Sequence, residues 1–157
     1  MQYRMRTHPL SQEQIEKLLK ESQAGTLATI NTDGTPYITP IHFVYEKNHI
    51  YMHGLPAGQK ISNIKNNPAV CFNIYHMDCL LFDKEEKPCD TNTKYQSVTI
   101  QGTISILENI EIKKTVLKKI VAKYSPQLSD KELPGNMVKG TAVLELEISA
   151  ITGKYYE

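Results

Sequence analysis

His53, Gly58, Lys60 and Ser62 lie close together in "HIYMHGLPAGQKISNIKNNPAV", residues 49–70. An alternating apolar segment passes there through a small-residue turn into a short basic segment that stops at Pro68. If a helix begins at that turn, Ala57, Gly58, Gln59 and Lys60 offer an anion free backbone N–H groups, the positive end of the helix dipole and an ammonium. A phosphate suits such a place, since Gly58 permits close approach and Lys60 and Ser62 are donors. The GxxxxGK[ST] spacing of a P-loop is missing. The plain alternative is a strand-to-helix bend with a solvent-facing lysine, and periodicity alone favours it.

The other reactive side chains are read in the same way. His42 and His53 fall on neighbouring predicted strands, and a reversal at Lys47-Asn48 would bring them near each other. No serine or cysteine nucleophile with an orienting acid is spaced to join them, so a hydrolytic triad has no support. Strand histidines are more often packed or hydrogen-bonded; for His53, which abuts the candidate phosphate turn, ligand contact stays open. His76, Cys79 and Cys89 match no compact zinc pattern, and no metal site is expected. Nine tyrosines and no tryptophan can pack a core or line a pocket for a planar ligand, and packing is the default.

Length and composition bound what carries these residues. With 157 residues the expectation is a single domain, 1–157, with a core of its own. Eighteen basic against seventeen acidic residues, scattered along the chain, give no electrostatic support for a nucleic-acid or membrane partner. The N-terminus lacks the apolar run of a signal peptide, and three cysteines without a CxxC pair suit a reducing compartment, so a cytoplasmic location is expected.

The elements that must position the site follow from pattern. "SQEQIEKLLKESQAG" reads as a helix with a Ser11–Gln14 capping box, an Ile15, Leu18, Leu19 face and Gly25 as its stop. "TLATINTDGTPYITPIHFVYEKNHIYMHG" reads as a three-strand antiparallel meander reversing at Asp33-Gly34 and Lys47-Asn48. "AGQKISNIKNN" predicts a short helix and "AVCFNIY" a strand. "HMDCLLFDKEEKPCDTNT" has no clean period and reads as a long connection. "KYQSVTIQGTISILEN" is a long strand in which Gly102 marks a bulge, a bend or a close approach. "IEIKKTVLKKIVAKYS" is a helix with an Ile112, Val116, Ile120, Val121 stripe, "QLSDKELPGNMVKG" a loop, and "TAVLELEISAITGKYY" the last strand. Six or so strands with two or three helices predict an α+β, mainly β domain around a small antiparallel barrel.

Taken in order, "GTLATINTDGTPYITPIHFVYEKNHIYMHGLPAGQKISNIKNNPAVCF", "PCDTNTKYQSVTIQGTISIL" and "TAVLELEISAITGK" closely resemble the pyridoxamine 5′-phosphate oxidase-like flavin-binding split barrels. The best match is their 5-nitroimidazole-resistance (Nim-type) branch, over residues 24 to 154. The resemblance implies an antiparallel split β-barrel with flanking helices, homodimeric, with FMN or alternatively FAD at the subunit interface. Carried over by position, it places Thr39, Pro40, Ile41 and His42 along the flavin edge, mainly through backbone. It sets Gly58, Gln59 and Lys60 at the phosphate with Ser62 or Asn63 nearby, and brings Ser97, helped by Tyr95 or Gln96, to the flavin from the long strand. His53 matches the histidine beside the cofactor and is the candidate catalytic residue.

The implied activity is a flavin-dependent reduction of small nitroaromatic or other oxidised organic molecules. Electrons would come from transiently bound NAD(P)H or a partner protein, since no GxGxxG nicotinamide fingerprint follows a strand. A non-catalytic flavin store, carrier or sensor uses the same pocket, and a haem role for His42 or His53 is the third reading. The chain departs from the oxidases in ending "ITGKYYE", without their C-terminal arginine-histidine motif, which speaks against vitamin B6 oxidation. It also carries Gln59 where they carry arginine. Cys89 resembles a cysteine frequent in the Nim-type branch, with packing as its plain role.

Overall fold

The computed structural model describes residues 3–157. Seven strands form one antiparallel sheet: β1 Gly25–Ile30, β2 Pro36–Ile41, β3 Phe43–Glu46, β4 His49–Gly54, β5 Ala69–Leu81, β6 Asn92–Ile106 and β7 Ala142–Tyr156. Their order across the sheet is β2-β1-β5-β6-β7-β4-β3. The helices are α1 Tyr3–Thr7, α2 Gln12–Glu21, α3 Gln59–Asn66, α4 Ile110–Tyr124 and α5 Gly135–Gly140.

The outermost strands of this order, β2 and β3, are separated in the chain by His42 alone. Two residue steps span at most about 7 Å, so the sheet curls until its two edges meet at His42. No β2–β3 ladder closes the junction, which makes the barrel a split one. The predicted three-strand meander is therefore two hairpins, β1–β2 and β3–β4, sent to opposite edges from that corner. Alternation in sequence reports which residues face inward and carries no information on which strands pair.

Other expectations hold or shift for identifiable reasons. Ser11 accepts from the Gln14 N–H at 3.2 Å and the Gln14 side chain accepts from the Ser11 N–H at 2.8 Å, so the capping box forms. The helix stops at Glu21 with Ser22 as its cap; Gly25 opens β1 instead, where a Cβ would lie 2.0 Å from the tip of the Phe72 ring. Lys47 and Asn48 adopt φ of 46° and 67° in the β3–β4 turn. Gly102 sits at a register shift of β6 against β7, where a Cβ would lie 2.1 Å from the Glu147 carbonyl oxygen, so both a bulge and a close approach are present.

Both ends of the predicted long connection are strand. β5 runs on to Leu81 and pairs with β6 back to Asn92, leaving residues 82–91 as the link. Residues 75–80 of this ribbon are exposed, so no buried face imposed an apolar period. On α4 the inward face is Lys113, Val116 and Ile120, while Ile112 of the predicted stripe is 49% exposed. The predicted loop before β7 contains a 3-10 turn at Pro126–Leu128 and the short α5, which buries Val138.

Phe43, Ile50, Met52, Leu27, Phe72, Ile100, Leu144 and Leu146 fill the barrel. A second cluster, Val44, Val143, Val116 and Ile120, packs α4 against the outside of β3, β4 and β7. That packing brings the C-terminal end of α4 to the open junction between β2 and β3.

Candidate functional site

β4 and α3 build the turn singled out by sequence. Gly58 precedes the first turn of α3 with φ 118° and ψ 175°, a conformation that only glycine adopts without strain. Its lack of a side chain leaves that turn without a side-chain cap. The first amides of α3 therefore stay free for a ligand. Lys60 is half-buried and folds back over β4, where a Cβ on Gly54 would lie 3.3 Å from its Nζ. Burial holds the Lys60 ammonium below the ordinary lysine range, and no ion pair among the described residues involves it.

Asn63 fixes this turn from inside. Fully buried, its Nδ2 donates to Thr29 Oγ1 at 3.0 Å and to Asn31 Oδ1 at 2.8 Å, while its Oδ1 accepts from Gln59 Nε2 at 2.8 Å. Gln59 Nε2 also donates to Asn31 Oδ1 at 3.0 Å. This network ties α3 to the end of β1. The Asn63 side chain is spent on protein partners, and the Gln59 amide nitrogen is spent likewise. Backbone N–H, Lys60 and the exposed Ser62 are what the turn presents outward.

The two histidines meet as the turn geometry predicts. Phe43 pairs with Met52, His42 and His53 are the next residues beyond that pair, and the charge of His42 acts on the His53 imidazole. Burial chiefly, then the charges of His42 and Lys60, hold the His53 imidazole below its ordinary pKa of 6.5. His53 Nδ1 is buried and has no hydrogen-bond partner. Unpaired buried polar atoms are costly and uncommon, so this one signals an absent partner. Thr39 Oγ1 on β2 is buried and unpartnered in the same way. Pro40 is exposed and Ile41 belongs to the barrel core.

Residues that sequence reasoning missed hold the corner together. The exposed His42 ring stacks on Tyr124 at the end of α4, with centroids 4.4 Å apart and planes 17° from parallel. The Tyr124 hydroxyl accepts from the Phe43 N–H at 2.8 Å and lies 2.8 and 2.9 Å from the carbonyl oxygens of Gln23 and Phe43, to which its single proton can be donated. It thus takes the place of the strand neighbour that β3 lacks. The sequence signal was available: Tyr124 lies four residues beyond Ile120, on the face of α4 that packs inward.

Tyr95 and Ser97 are not at this corner. β1 and β5 stand between β2 and β6, which at about 4.8 Å per strand sets Ser97 about 14 Å round the sheet. Both lie on the face turned away from the barrel core, Tyr95 beside Tyr75 at 5.6 Å and Ser97 beside Asn73, whose Nδ2 lies 3.5 Å from its Oγ. A concavity of about 490 Å³ between α2 and the ends of β5, β6 and β7 includes His76, Tyr95, Gln96 and Tyr155. None of the unpartnered buried polar atoms, Thr39 Oγ1, His53 Nδ1 and Lys123 Nζ, belongs to a residue lining it. Among the described residues no group of three His, Cys, Asp or Glu is placed to hold a metal ion, and no helix is long and apolar enough to cross a membrane.

A known family profile runs over nearly the whole of this split barrel. That of pyridoxamine 5′-phosphate oxidase matches residues 11–155. The chain belongs to the pyridoxamine 5′-phosphate oxidase family. Solved structures share this split-barrel fold. A candidate 5-nitroimidazole antibiotic resistance protein from Bacteroides thetaiotaomicron superposes with TM-score 0.80 at 23% identity, covering 93% of this chain and 85% of that one. A FAD and heme binding protein from Mycobacterium smegmatis gives 0.84 at 19% identity, covering 94% and 72%. A FAD-binding protein from Mesorhizobium loti gives 0.69 at 21% identity, covering 95% and 97%. At these identities the likeness is one of fold. No curated protein matches the chain significantly in sequence.

Proposed function

We propose that the chain is a flavin-binding oxidoreductase that reduces small nitroaromatic, nitroimidazole-like or other oxidised organic molecules. The observation that carries this reading is the buried, unpartnered Nδ1 of His53, whose ring feels the charges of His42 and Lys60, with no carboxylate among the described residues paired to any of the three. Such a corner suits a ligand that is anionic at one end and rich in hydrogen-bonding atoms at the other. FMN fits that description, and FAD is the alternative. The free α3 amides and Lys60 would hold the phosphate, and the backbone of Thr39 to His42 with His53 would meet the ring system. When bound, a flavin supplies the electron-transfer chemistry; the protein supplies position and a positive field that favours the reduced, negatively charged ring.

His53 is the candidate catalytic residue because its neutral imidazole can hold or move a proton beside the ring. The family membership and the FAD-binding neighbours support a flavin site of this kind. A homodimer belongs to the same reading. The sheet face and ribbon expose Ile38, Tyr75, Met77 and Phe82, an apolar set that a second copy would cover. Tyr95 and Ser97 lie on that face and would reach the partner's flavin rather than the one held at their own His53.

The expected result with flavin-loaded protein is reduction of a nitroimidazole at the expense of NAD(P)H or another donor. His53→Ala should lower the rate at least tenfold while flavin stays bound. Equal rates in the two proteins would remove His53 from the chemistry. A flavin that stays oxidised under anaerobic mixing with every donor would favour a carrier or sensor.

A further inference from the structure

The C-terminal end of α4 brings two side chains of unlike kind to the split of the barrel. Lys123 Nζ is buried without a hydrogen-bond partner, 4.1 Å from the centroid of the Phe43 ring and 5.5 Å from that of Tyr124. Tyr124 is held from several directions instead. Its hydroxyl accepts from the Phe43 N–H at 2.8 Å and lies 2.8 and 2.9 Å from the carbonyl oxygens of Gln23 and Phe43. The α2–β1 link, the start of β3 and the end of α4 thus converge on one phenol. Burial holds that phenol above its ordinary range, so its proton stays in place wherever a histidine titrates.

A ring pinned at its hydroxyl end orients whatever lies on its face, and His42 lies there, 4.4 Å away and 17° from parallel. No hydrogen bond among the described residues orients the exposed His42 ring. An exposed side chain without such a partner changes rotamer freely, so the stack is what keeps this imidazole in one place. Its place matters because the charge of His42 acts on the His53 imidazole, together with that of Lys60. The other neighbours of His53 add no free charge. Its ladder partner on β7 is Val143, and Tyr51, two residues earlier on β4, spends its hydroxyl on Glu145 at 2.8 Å.

We propose that Tyr124 is a positioning residue of the His42–His53 corner: its hydroxyl fixes the chain at Phe43, and its ring face holds His42 beside His53. The inference rests on the flavin reading for its biological sense and adds to that site a residue from α4. Through His42, Tyr124 acts on the proton affinity of the candidate catalytic histidine. Through Phe43, it fixes the end of the stretch Thr39 to His42, whose backbone would meet the ring system. Removing the Tyr124 ring frees His42, withdraws a like charge from His53 and lets its titration rise toward 6.5. Removing the hydroxyl alone leaves the stack and strips the Phe43 N–H of its acceptor.

The test is a proton NMR titration of the histidine ring signals, with the protein as isolated and its flavin content recorded. The His42 ring protons should be shifted upfield by the Tyr124 ring current. Tyr124→Phe should keep that shift and the His53 midpoint, while exchange of the Phe43 amide quickens about tenfold. Tyr124→Leu should lose the upfield shift and raise the His53 midpoint, as His42→Gln should. The double variant should raise it no further than His42→Gln alone. FMN should bind at least about tenfold more weakly to Tyr124→Leu than to Tyr124→Phe. Urea denaturation checks each fold, and Tyr124→Met takes the place of Tyr124→Leu if the latter does not fold. Unshifted His42 signals in the unaltered protein would overturn the proposal. So would a destabilised Tyr124→Leu whose His53 midpoint has not moved, which is what a purely structural tyrosine gives. Additive shifts in the double variant would bypass His42 and overturn it too, as would equal FMN affinity in Tyr124→Leu and Tyr124→Phe. The same titration shifts in a protein that binds no FMN at all would count against the flavin reading alone.

Discussion

His42 and His53 flank the Phe43–Met52 pair that ends the β3–β4 ladder, close enough for the charge of His42 to act on the His53 imidazole, at the place where the two edges of the curled sheet meet. The corner sets a half-buried imidazole near an exposed one, with Lys60 as the other charge acting on it. Positive charge gathered without acids is unfavourable in the unliganded protein and becomes favourable once an anion arrives. The stability of this corner is therefore tied to pH and to ligand.

The His53 pKa lies below 6.5 in the folded chain and near 6.5 in the unfolded one. The unfolded state thus binds the proton more readily, and stability falls as pH drops from about 6.5 toward the lowered folded value. Below that value both states are protonated and the loss is complete. Urea midpoints measured between pH 7.5 and 5 should fall more steeply for the unaltered protein than for His53→Gln. Parallel curves would show that His53 titrates alike in both states.

Lys123→Met should stabilise the protein at pH 7 by about 1–2 kcal/mol, because it replaces an ammonium without an anion by an apolar chain of similar length. The gain should shrink as pH rises from about 8, where the folded lysine loses its proton, toward the unfolded value of 10.5. Thermal melts of both proteins at pH 7 and 10 check this. A lower melting temperature for the variant at pH 7 would show that the ring faces alone satisfy Lys123.

Asn63→Ala should cost about 1–3 kcal/mol, since it leaves the Asn31 and Gln59 side chains and Thr29 Oγ1 short of partners under α3. Chemical denaturation gives the stability. Titration with FMN should show weaker binding as well, because the network fixes the turn that carries Lys60. Unchanged FMN affinity in a destabilised variant would separate the network from the site.

Much of this was legible in the sequence wherever one buried face imposed a period or one backbone geometry demanded a residue. The Ser11–Gln14 box, the Lys47–Asn48 reversal, the glycine at the Gly102 bulge and the helix after Gly58 are of that kind. Where both faces of a pair are exposed, as in residues 75–80, no period exists and the ribbon read as a loop. Pairing across the sheet was not legible, because the separation of β2 from β3 at His42 depends on contacts between residues far apart in sequence. The buried network of Asn63 was not legible either, because polarity in sequence does not say on which side of a helix the partners lie. Lys123 could have been found as a lysine three residues past Ile120 on the apolar side of α4, and Tyr124 by the same count plus one.

The central claim, that the His42–His53–Lys60 corner holds a flavin phosphate and ring, is tested most directly by the absorption spectrum of the purified protein with mass identification of what it releases. The account predicts flavin bands near the visible blue, released FMN or FAD, and at least tenfold weaker reconstitution with FMN in Lys60→Met. A colourless protein that ignores added FMN and FAD, or a Soret band in place of flavin absorption, would contradict it.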